Sequence, residues 1–209
     1  MPNHFQLDDL GGHCELRLLS EDGTNRLTRA CVLALTHAIQ ALRENPRPII
    51  IAGNRTFFSA GADLAEIRSL TGSSAYDFAR LGQALMRVIE RFPAPVYAAI
   101  EGYCMGGGLD LALACHRRIA SPHAVFGHRG AALGLMTGWG GTQRLPRLVG
   151  KGRALALFLA AEKLHAKDAL RVGLLDAMAE DPVREAAGRI RSASDSDQHP
   201  FAPGFVVQS

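Results

Sequence analysis

The fold is decided by two glycine-rich stretches of sequence, Ser59-Ala60-Gly61-Ala62-Asp63-Leu64 and Gly106-Gly107-Gly108-Leu109-Asp110. Each follows an apolar run with strand character and opens into a run with helical spacing. A junction of this kind leaves backbone N–H groups unpaired at the start of the helix, and the helix adds about half a positive charge there. Two such turns that face each other would bind one developing oxyanion, which is how acyl chemistry is commonly stabilised.

Length and composition indicate an ordinary globular protein. The chain has 209 residues, which favours one domain or one domain with an appendage; 47% of the residues are hydrophobic and 21% are charged. No apolar run approaches the roughly 18 residues that a membrane helix needs. The first ten residues contain Asp8 and Asp9 and lack the apolar segment of a secretory signal. We therefore expect no membrane partner.

Charge and cysteine usage limit the possible partners. The net charge of +3 is mild and the basic residues are scattered, so we expect no nucleic-acid partner. The four cysteines show no C-x-x-C spacing, which predicts reduced thiols and a cytoplasmic location. His116, His123 and His128 do not show metal-ligand spacing with acidic residues, so no metal site is expected.

Hydrophobic spacing predicts alternating strands and helices. The predicted strands are 14–19, 49–52, 96–100, 118–120 and 125–126, and the predicted helices are 28–45, 64–70, 74–91, 107–115, 153–161, 166–172 and 183–192. The wholly apolar run at 49–52 indicates a buried parallel strand, and 134–141 forms a third glycine-rich loop. This order predicts an α/β domain with short parallel strands.

The chain divides into three predicted regions. Residues 1–150 form the α/β core, 151–193 form a short helical C-terminal region, and 194–209 form a tail. The tail is polar and contains Pro200 and Pro203, so we expect it to be disordered.

Several motifs accompany the two turns in a fixed order. Residues 25–28 (N-R-L-T) are similar to an N-x-L-S segment, 95–102 are similar to a P-V-I-A-A-V-x-G strand, and 140–148 (G-G-T-Q-R-L-P-R-L) match a long signature. Residues 166–169 and 173–176 are similar to an A-x-E-A and a G-L-V-D segment. Together these motifs resemble the crotonase superfamily, the enoyl-CoA hydratase/isomerase family, over roughly residues 14–192.

The resemblance carries expectations about fold and ligand. It implies a crotonase-like spiral of repeated ββα units, here with a shortened helical C-terminus. It also implies an acyl-CoA thioester as the ligand and a homotrimer or hexamer as the assembly. No separate cofactor is expected, because coenzyme A is part of the substrate.

The resemblance also assigns site residues. The family's oxyanion hole consists of two backbone N–H groups, which by motif position are those of Ala62 and Gly107. Asp110 lies where hydratases of the family usually hold an acid–base glutamate; alternatively, its carboxylate only complements the helix dipole. Contacts with the CoA and acyl parts are expected from Ala60, Gly61, Asp63, Leu64, Gly106, Gly130 and Trp139. The alternatives are a helix cap for Asp63 and core packing for Trp139.

The family's second catalytic glutamate has no counterpart in this sequence. An ungapped match puts its position at Gly130, and the aspartate of some isomerases falls at Gly138. Syn hydration uses two acid–base groups around one water. His128 and Arg129 are candidates for the missing group, and His128 has the side chain suited to proton transfer near neutral pH. The alternative for His128 is a surface or supporting role.

Three functions remain open at this stage. The resemblance favours an enoyl-CoA hydratase that stabilises a thioester enolate in a backbone oxyanion hole. An isomerase or a decarboxylase of the same family is an alternative, because each can work with an oxyanion hole and one acid or none. A non-catalytic acyl-CoA-binding homologue is the third, because Gly130 replaces the second glutamate.

Overall fold

Two mainly parallel sheets, each with one antiparallel edge strand, organise the chain in a computed structural model, which describes residues 3–198. The strands are β1 Phe5–Asp9, β2 Cys14–Leu18, β3 Arg26–Leu27, β4 Ile49–Ala52, β5 Phe57–Ser59, β6 Gly61–Ala62, β7 Val96–Ile100, β8 Tyr103–Met105, β9 Arg117–Ala120, β10 Val125–Gly127, β11 Leu164–His165 and β12 Ala177–Met178. The large sheet has the order β1-β2-β4-β7-β9-β12, the small sheet has the order β11-β10-β8-β5, and β3 pairs with β6.

The helices follow the strands in a repeating order. They are α1 Arg29–Ala41, α2 Leu64–Arg68, α3 Gly72–Glu90, α4 Gly107–Ala114, α5 Gly141–Val149, α6 Lys151–Ala160, α7 Ala166–Arg171 and α8 Pro182–Gln198. Three times, one strand joins the large sheet, the next joins the small sheet and helical structure follows. The units are β4-β5 with α2 and α3 after the short strand β6, β7-β8 with α4, and β9-β10 with α5. The predicted α/β fold of repeated ββα units is confirmed.

The large sheet is buried on both faces. All residues of β4 and β7 are buried, because alternate side chains enter two different cores. Ile49 and Ile51 belong to the main core, whereas Ile50 packs with Tyr97 and with Ile190 of α8 on the other face. This double burial explains why the sequence of β4 is wholly apolar and does not alternate.

Some elements differ from the sequence-based expectation. Strand β1, which pairs antiparallel with β2, was not predicted from the N-terminal residues. Helix α5 was missed, because Gly140 precedes it, Gly141 is its first residue and Pro146 lies inside it. Helix α8 extends to Gln198, into the first residues of the segment that the sequence predicts to be a disordered tail. The rest of that predicted tail, 199–209, lies outside the described residues.

A buried ion pair ties the C-terminal region to the core. Arg118 on β9 is only 6% exposed, and it donates to the carbonyls of Cys115 and Leu174 and to the Asp176 carboxylate, at 2.8 to 3.1 Å. Asp176 also accepts from the Arg118 backbone N–H at 2.8 Å. Burial lowers the pKa of Arg118, and the nearby Asp176 charge opposes that shift. The buried Arg118 guanidinium is therefore paired with the Asp176 carboxylate.

A second buried contact fixes the glycine-rich loop before α5. Trp139 is 3% exposed, and its Nε1 donates to the Phe78 carbonyl at 3.2 Å. The centroids of the Trp139 and Phe78 rings lie 5.3 Å apart. Gly82 of α3 faces the indole, and a Cβ at that position would overlap the ring. Glycine inside this helix thus makes room for Trp139.

We expect Asp176→Ala to destabilise the fold by about 3–5 kcal/mol, because it leaves the buried Arg118 charge without a counter-ion. Asp168→Ala is the matched control: it removes an exposed carboxylate that pairs with Arg171 at 2.7 Å, and exposed pairs contribute little. Urea denaturation of both variants measures the difference. Similar losses in the two variants would contradict a special role for Asp176.

We expect Gly82→Ala to lower the free energy of unfolding, because overpacking a core costs about 1–3 kcal/mol, whereas the helix propensity of alanine returns only about 1 kcal/mol. Gly72→Ala lies in the same helix and is the control, since a Cβ there meets no atom within 4 Å. The urea midpoint of Gly82→Ala should fall below that of Gly72→Ala. Equal midpoints would show that the indole moves aside freely.

Candidate active site

The two glycine-rich turns meet in the structure. Strands β5 and β8 are parallel neighbours in the small sheet, so the turns that follow them leave the sheet at the same edge. A Cβ on Gly61 would lie 2.9 Å from the Gly107 nitrogen, and one on Gly107 would lie 3.1 Å from the Ala62 nitrogen. The main chains at Ala62 and Gly107 are therefore in direct contact.

The local conformation directs the second turn toward solvent. Gly106 has φ +51°, which favours glycine, and its N–H donates to the Gly127 carbonyl at 2.8 Å. Gly107 is the first residue of α4, where an amide has no acceptor within the helix. Gly107 and Ala62 are both half-buried.

Asp110 and His128 form a buried pair beside these turns. Asp110 lies on α4, three residues after Gly107, and His128 directly follows β10. Asp110 Oδ1 and His128 Nε2 are 3.2 Å apart, and the two residues are 2% and 6% exposed. This contact is not a hydrogen bond, and neither atom has a hydrogen-bond partner among residues 3–198. Buried polar atoms of this kind are uncommon and need an explanation.

Two residues that the sequence did not single out complete this cluster. The Thr137 hydroxyl donates to Asp110 Oδ2. A Cβ on Gly141 would overlap Asp110 Oδ1 and would lie 2.9 Å from His128 Nε2. The spacing of 27 residues between Asp110 and Thr137 carries no periodic signal. Gly141 belongs to the long signature, but its contact with Asp110 appears only in the folded chain.

Ala60, Gly61 and Leu64, which are predicted to contact the CoA, lie at the first turn. The Ala60 N–H donates to the Thr24 carbonyl at 2.9 Å, and the Gly61 N–H donates to Ser59 Oγ at 3.1 Å. Leu64 is 44% exposed. These contacts are internal, and the contacts with CoA remain a prediction.

Asp63 is a helix cap. Its carboxylate accepts from the backbone N–H groups of Ala65 and Glu66 at 2.8 and 3.0 Å, as expected for an aspartate before a helix. Arg26 lies 3.5 Å from Asp63 and 2.7 Å from Asp22. The charge of Arg26, the basic residue on the neighbouring strand β3, is thus matched by two carboxylates.

Gly130 and Trp139 both support the loop between β10 and α5. Gly130 lies in the short 3₁₀ helix Arg129–Leu133, and its carbonyl accepts from the Leu135 N–H at 2.8 Å. A Cβ there would lie 2.7 Å from the Leu135 carbonyl oxygen, so this loop conformation does not accommodate a glutamate. Trp139 packs in the core behind Gly107, and a Cβ on Gly107 would lie 2.5 Å from the indole. This position agrees with the core-packing alternative for Trp139.

Other features lie away from this cluster. A cavity of about 950 Å³ between α8 and the large sheet is lined mainly by charged side chains and by none of the predicted site residues. Within residues 3–198, no helix is long and apolar enough to span a bilayer. The same part of the chain has no group of three or more His, Cys, Asp or Glu arranged to hold a metal ion.

Comparison with known proteins decides the family. A family model described as enoyl-CoA hydratase/isomerase matches residues 11–193. The chain belongs to the enoyl-CoA hydratase/isomerase family. The resemblance predicted from the motifs is confirmed over nearly the same residues.

Relatives in this family are similar in sequence and structure. A crotonyl-CoA hydratase of Syntrophomonas wolfei is 39% identical over 80% of this chain and 68% of its own length. A probable enoyl-CoA hydratase of Bacillus subtilis is 49% identical over 65% of this chain and 53% of its own length. The crystal structure of an enoyl-CoA hydratase from Bacillus anthracis has a TM-score of 0.83 and 31% identity over 93% of this chain and 76% of its own length.

Pseudomonas aeruginosa DspI also shares the fold, with a TM-score of 0.86 and 32% identity over 94% of this chain and 81% of its own length. The chain therefore spans only part of each relative, about half of the Bacillus subtilis protein. The crotonase-like fold is shown, whereas the activity is taken up below as a proposal.

Cys104 lies in β8, just before the second turn. The residue is fully buried, and burial raises the pKa of its thiol well above the ordinary value, with Cys115 and Asp110 contributing. Burial also raises the pKa of the Cys31 thiol to about 12 and that of the Cys115 thiol to about 12. Thiols with such raised pKa values form little thiolate near neutral pH.

We expect the native protein to resist alkylation by iodoacetamide at about pH 8, because the thiolate is the reactive form and all four cysteines are buried. Denaturation in urea should expose all four to labelling. Mass spectrometry of native and denatured samples counts the labelled thiols. Rapid labelling of Cys104 in the native protein would contradict the burial of its thiol.

Proposed function

We propose that this chain is an acyl-CoA enzyme that hydrates the double bond of an enoyl thioester. The observation that carries the proposal is the buried Asp110–His128 pair, with 3.2 Å between Oδ1 and Nε2. The pair lies beside two backbone amides that approach each other. An acid–base pair next to paired N–H donors is the arrangement that enolate chemistry requires.

In the proposed site the thioester oxygen accepts hydrogen bonds from the amides of Ala62 and Gly107. The contact between the two turns supports this, since a Cβ on Gly107 would lie 3.1 Å from the Ala62 nitrogen. Gly107 opens α4, so the helix dipole adds positive potential at the same point. Negative charge that develops on the oxygen is stabilised more than the neutral thioester.

Hydration adds a hydroxyl group to the β-carbon and a proton to the α-carbon. One group must accept a proton from water and another must supply a proton to carbon. Asp110 and His128 provide two such groups within 3.2 Å of each other. The Oδ1 and Nε2 atoms have no hydrogen-bond partner in the described part of the chain, and a water or a substrate proton would satisfy both.

His128 takes over the role of the missing second glutamate. A Cβ on Gly130 would lie 2.7 Å from the Leu135 carbonyl oxygen, so this loop conformation does not accommodate a glutamate at that position. His128 lies two residues earlier and is held by Phe158, whose ring is 5.2 Å away. A fixed imidazole suits proton transfer near neutral pH.

The proposal extends to partners and assembly. An acyl-CoA thioester is the substrate, no cofactor beyond its CoA takes part, and the protein acts in the cytoplasm. A homotrimer or hexamer would cover exposed apolar side chains, such as Leu155 and Leu159 of α6, which are 59% and 66% exposed. Exposed apolar patches commonly mark interfaces.

Crotonyl-CoA hydration tests the proposal. We expect Asp110→Asn and His128→Gln each to lower kcat by about 100-fold or more, the typical contribution of a positioned proton-transfer group. Binding of CoA, measured by calorimetry, should stay within about twofold, because neither side chain holds the CoA in the proposal. Asp77→Asn and His165→Gln change exposed residues of the same types and serve as controls.

The outcomes separate the competing functions. Turnover that survives in Asp110→Asn and His128→Gln would contradict the proposed proton transfer. Isomerisation or decarboxylation without hydration would assign another reaction of the family. CoA binding with no turnover of any short enoyl- or malonyl-type thioester would identify a binding protein.

A further inference from the structure

The two oxygens of the Asp110 carboxylate have different surroundings. Oδ1 faces His128 Nε2 at 3.2 Å without a hydrogen bond. Oδ2 accepts the hydroxyl hydrogen of Thr137. Because a carboxylate turns as a rigid unit, a bond that holds Oδ2 also sets the direction of Oδ1. The hydrogen bond from Thr137 to Oδ2 therefore keeps Oδ1 directed at His128.

The direction of the Thr137 hydroxyl is itself fixed. The Trp139 backbone N–H donates to Thr137 Oγ1 at 3.4 Å, so the oxygen acts as an acceptor there and its hydrogen is available for Asp110. Trp139 in turn is fixed in the core, where its indole donates to the Phe78 carbonyl at 3.2 Å. A continuous set of contacts thus runs from α3 through Trp139 and Thr137 to Asp110.

Packing limits the alternatives for Asp110. A Cβ on Gly141 would overlap Asp110 Oδ1 and would lie 2.9 Å from Thr137 Cγ2 and from His128 Nε2. The three side chains therefore meet at one point beside Gly141. Asp110 is 2% exposed, so little solvent is available to replace the Thr137 hydroxyl if it is lost. A buried acceptor left unpaired is costly, which favours a rotation of the carboxylate.

We propose that Thr137 is a positioning residue, which orients Asp110 so that Oδ1 faces His128 and the reacting atoms. This inference rests on the proposed function, since it names what holds the proton-transfer pair in place. Thr137 acts through Asp110 and exchanges no proton with the substrate. A misplacement of about 1 Å in such a pair can cost about 100-fold in rate.

Kinetics of crotonyl-CoA hydration provide the first test. Thr137→Val keeps the branched shape and removes the hydroxyl, so we expect kcat to fall about 10- to 100-fold with KM within about threefold. Thr137→Ser keeps the hydroxyl and should restore kcat to within about threefold. Thr142→Val is the matched control, because Thr142 is half-buried in the same segment and its hydroxyl contacts only the exposed Gln143 side chain, at 3.5 Å.

A double-mutant cycle separates positioning from general stability. In an Asp110→Asn background, Thr137→Val should lower kcat by less than about twofold, because its effect acts through the Asp110 carboxylate. An undiminished loss in that background would overturn the proposal, and so would a Thr137→Val enzyme with the wild-type kcat. Should Thr137→Val fail to fold, Thr137→Ala takes its place in the cycle.

Crystal structures decide the question without relying on turnover. In Thr137→Val, the distance from Asp110 Oδ1 to His128 Nε2 should increase by about 1 Å or more, whereas Thr137→Ser should keep the original arrangement. An unchanged pair in Thr137→Val would refute the positioning role even in an active enzyme. If the wild-type protein hydrates no enoyl thioester, the proposed function fails, and these structures still settle whether Thr137 orients Asp110.

Discussion

The close approach of two main chains, at Gly61 and Gly107, is the constraint on which the rest of the structure depends. A side chain at Gly61 would meet the Met105 carbonyl at 2.6 Å and the Gly107 nitrogen at 2.9 Å. With glycine at both positions the turns touch, and the start of α4 faces the end of the first turn. Only then can Ala62 and Gly107 direct their amides at one ligand oxygen, as the proposed chemistry needs.

Successive ββα units supply the parts of this site. The first turn follows β5, Gly107 and Asp110 follow β8, and His128 follows β10. These three strands are neighbours in the small sheet, in the order β10-β8-β5, and they run parallel. Parallel strands end at the same edge of a sheet, so segments far apart in sequence meet there without long loops.

Two buried pairs of polar side chains differ in how their atoms are satisfied. Arg118 and Asp176 satisfy each other and the backbone around them, which is the condition under which a buried pair is tolerated. Asp110 and His128 lie as close, yet Oδ1 and Nε2 have no hydrogen bond among residues 3–198. The first pair joins the C-terminal region to β9, and the second is the pair to which the proposed function assigns proton transfer.

The sequence by itself determined the family, the two turns and the alternation of the main strands with helices, because glycine patterns and apolar runs are local signals. It also located Asp110 and His128 as candidates, and its strands β4 and β7 have the predicted bounds. It did not reveal helix α5, hidden by glycine and proline, or the contact of Thr137 with Asp110. Those features depend on packing between segments that no spacing rule connects, so only the tertiary structure decided them.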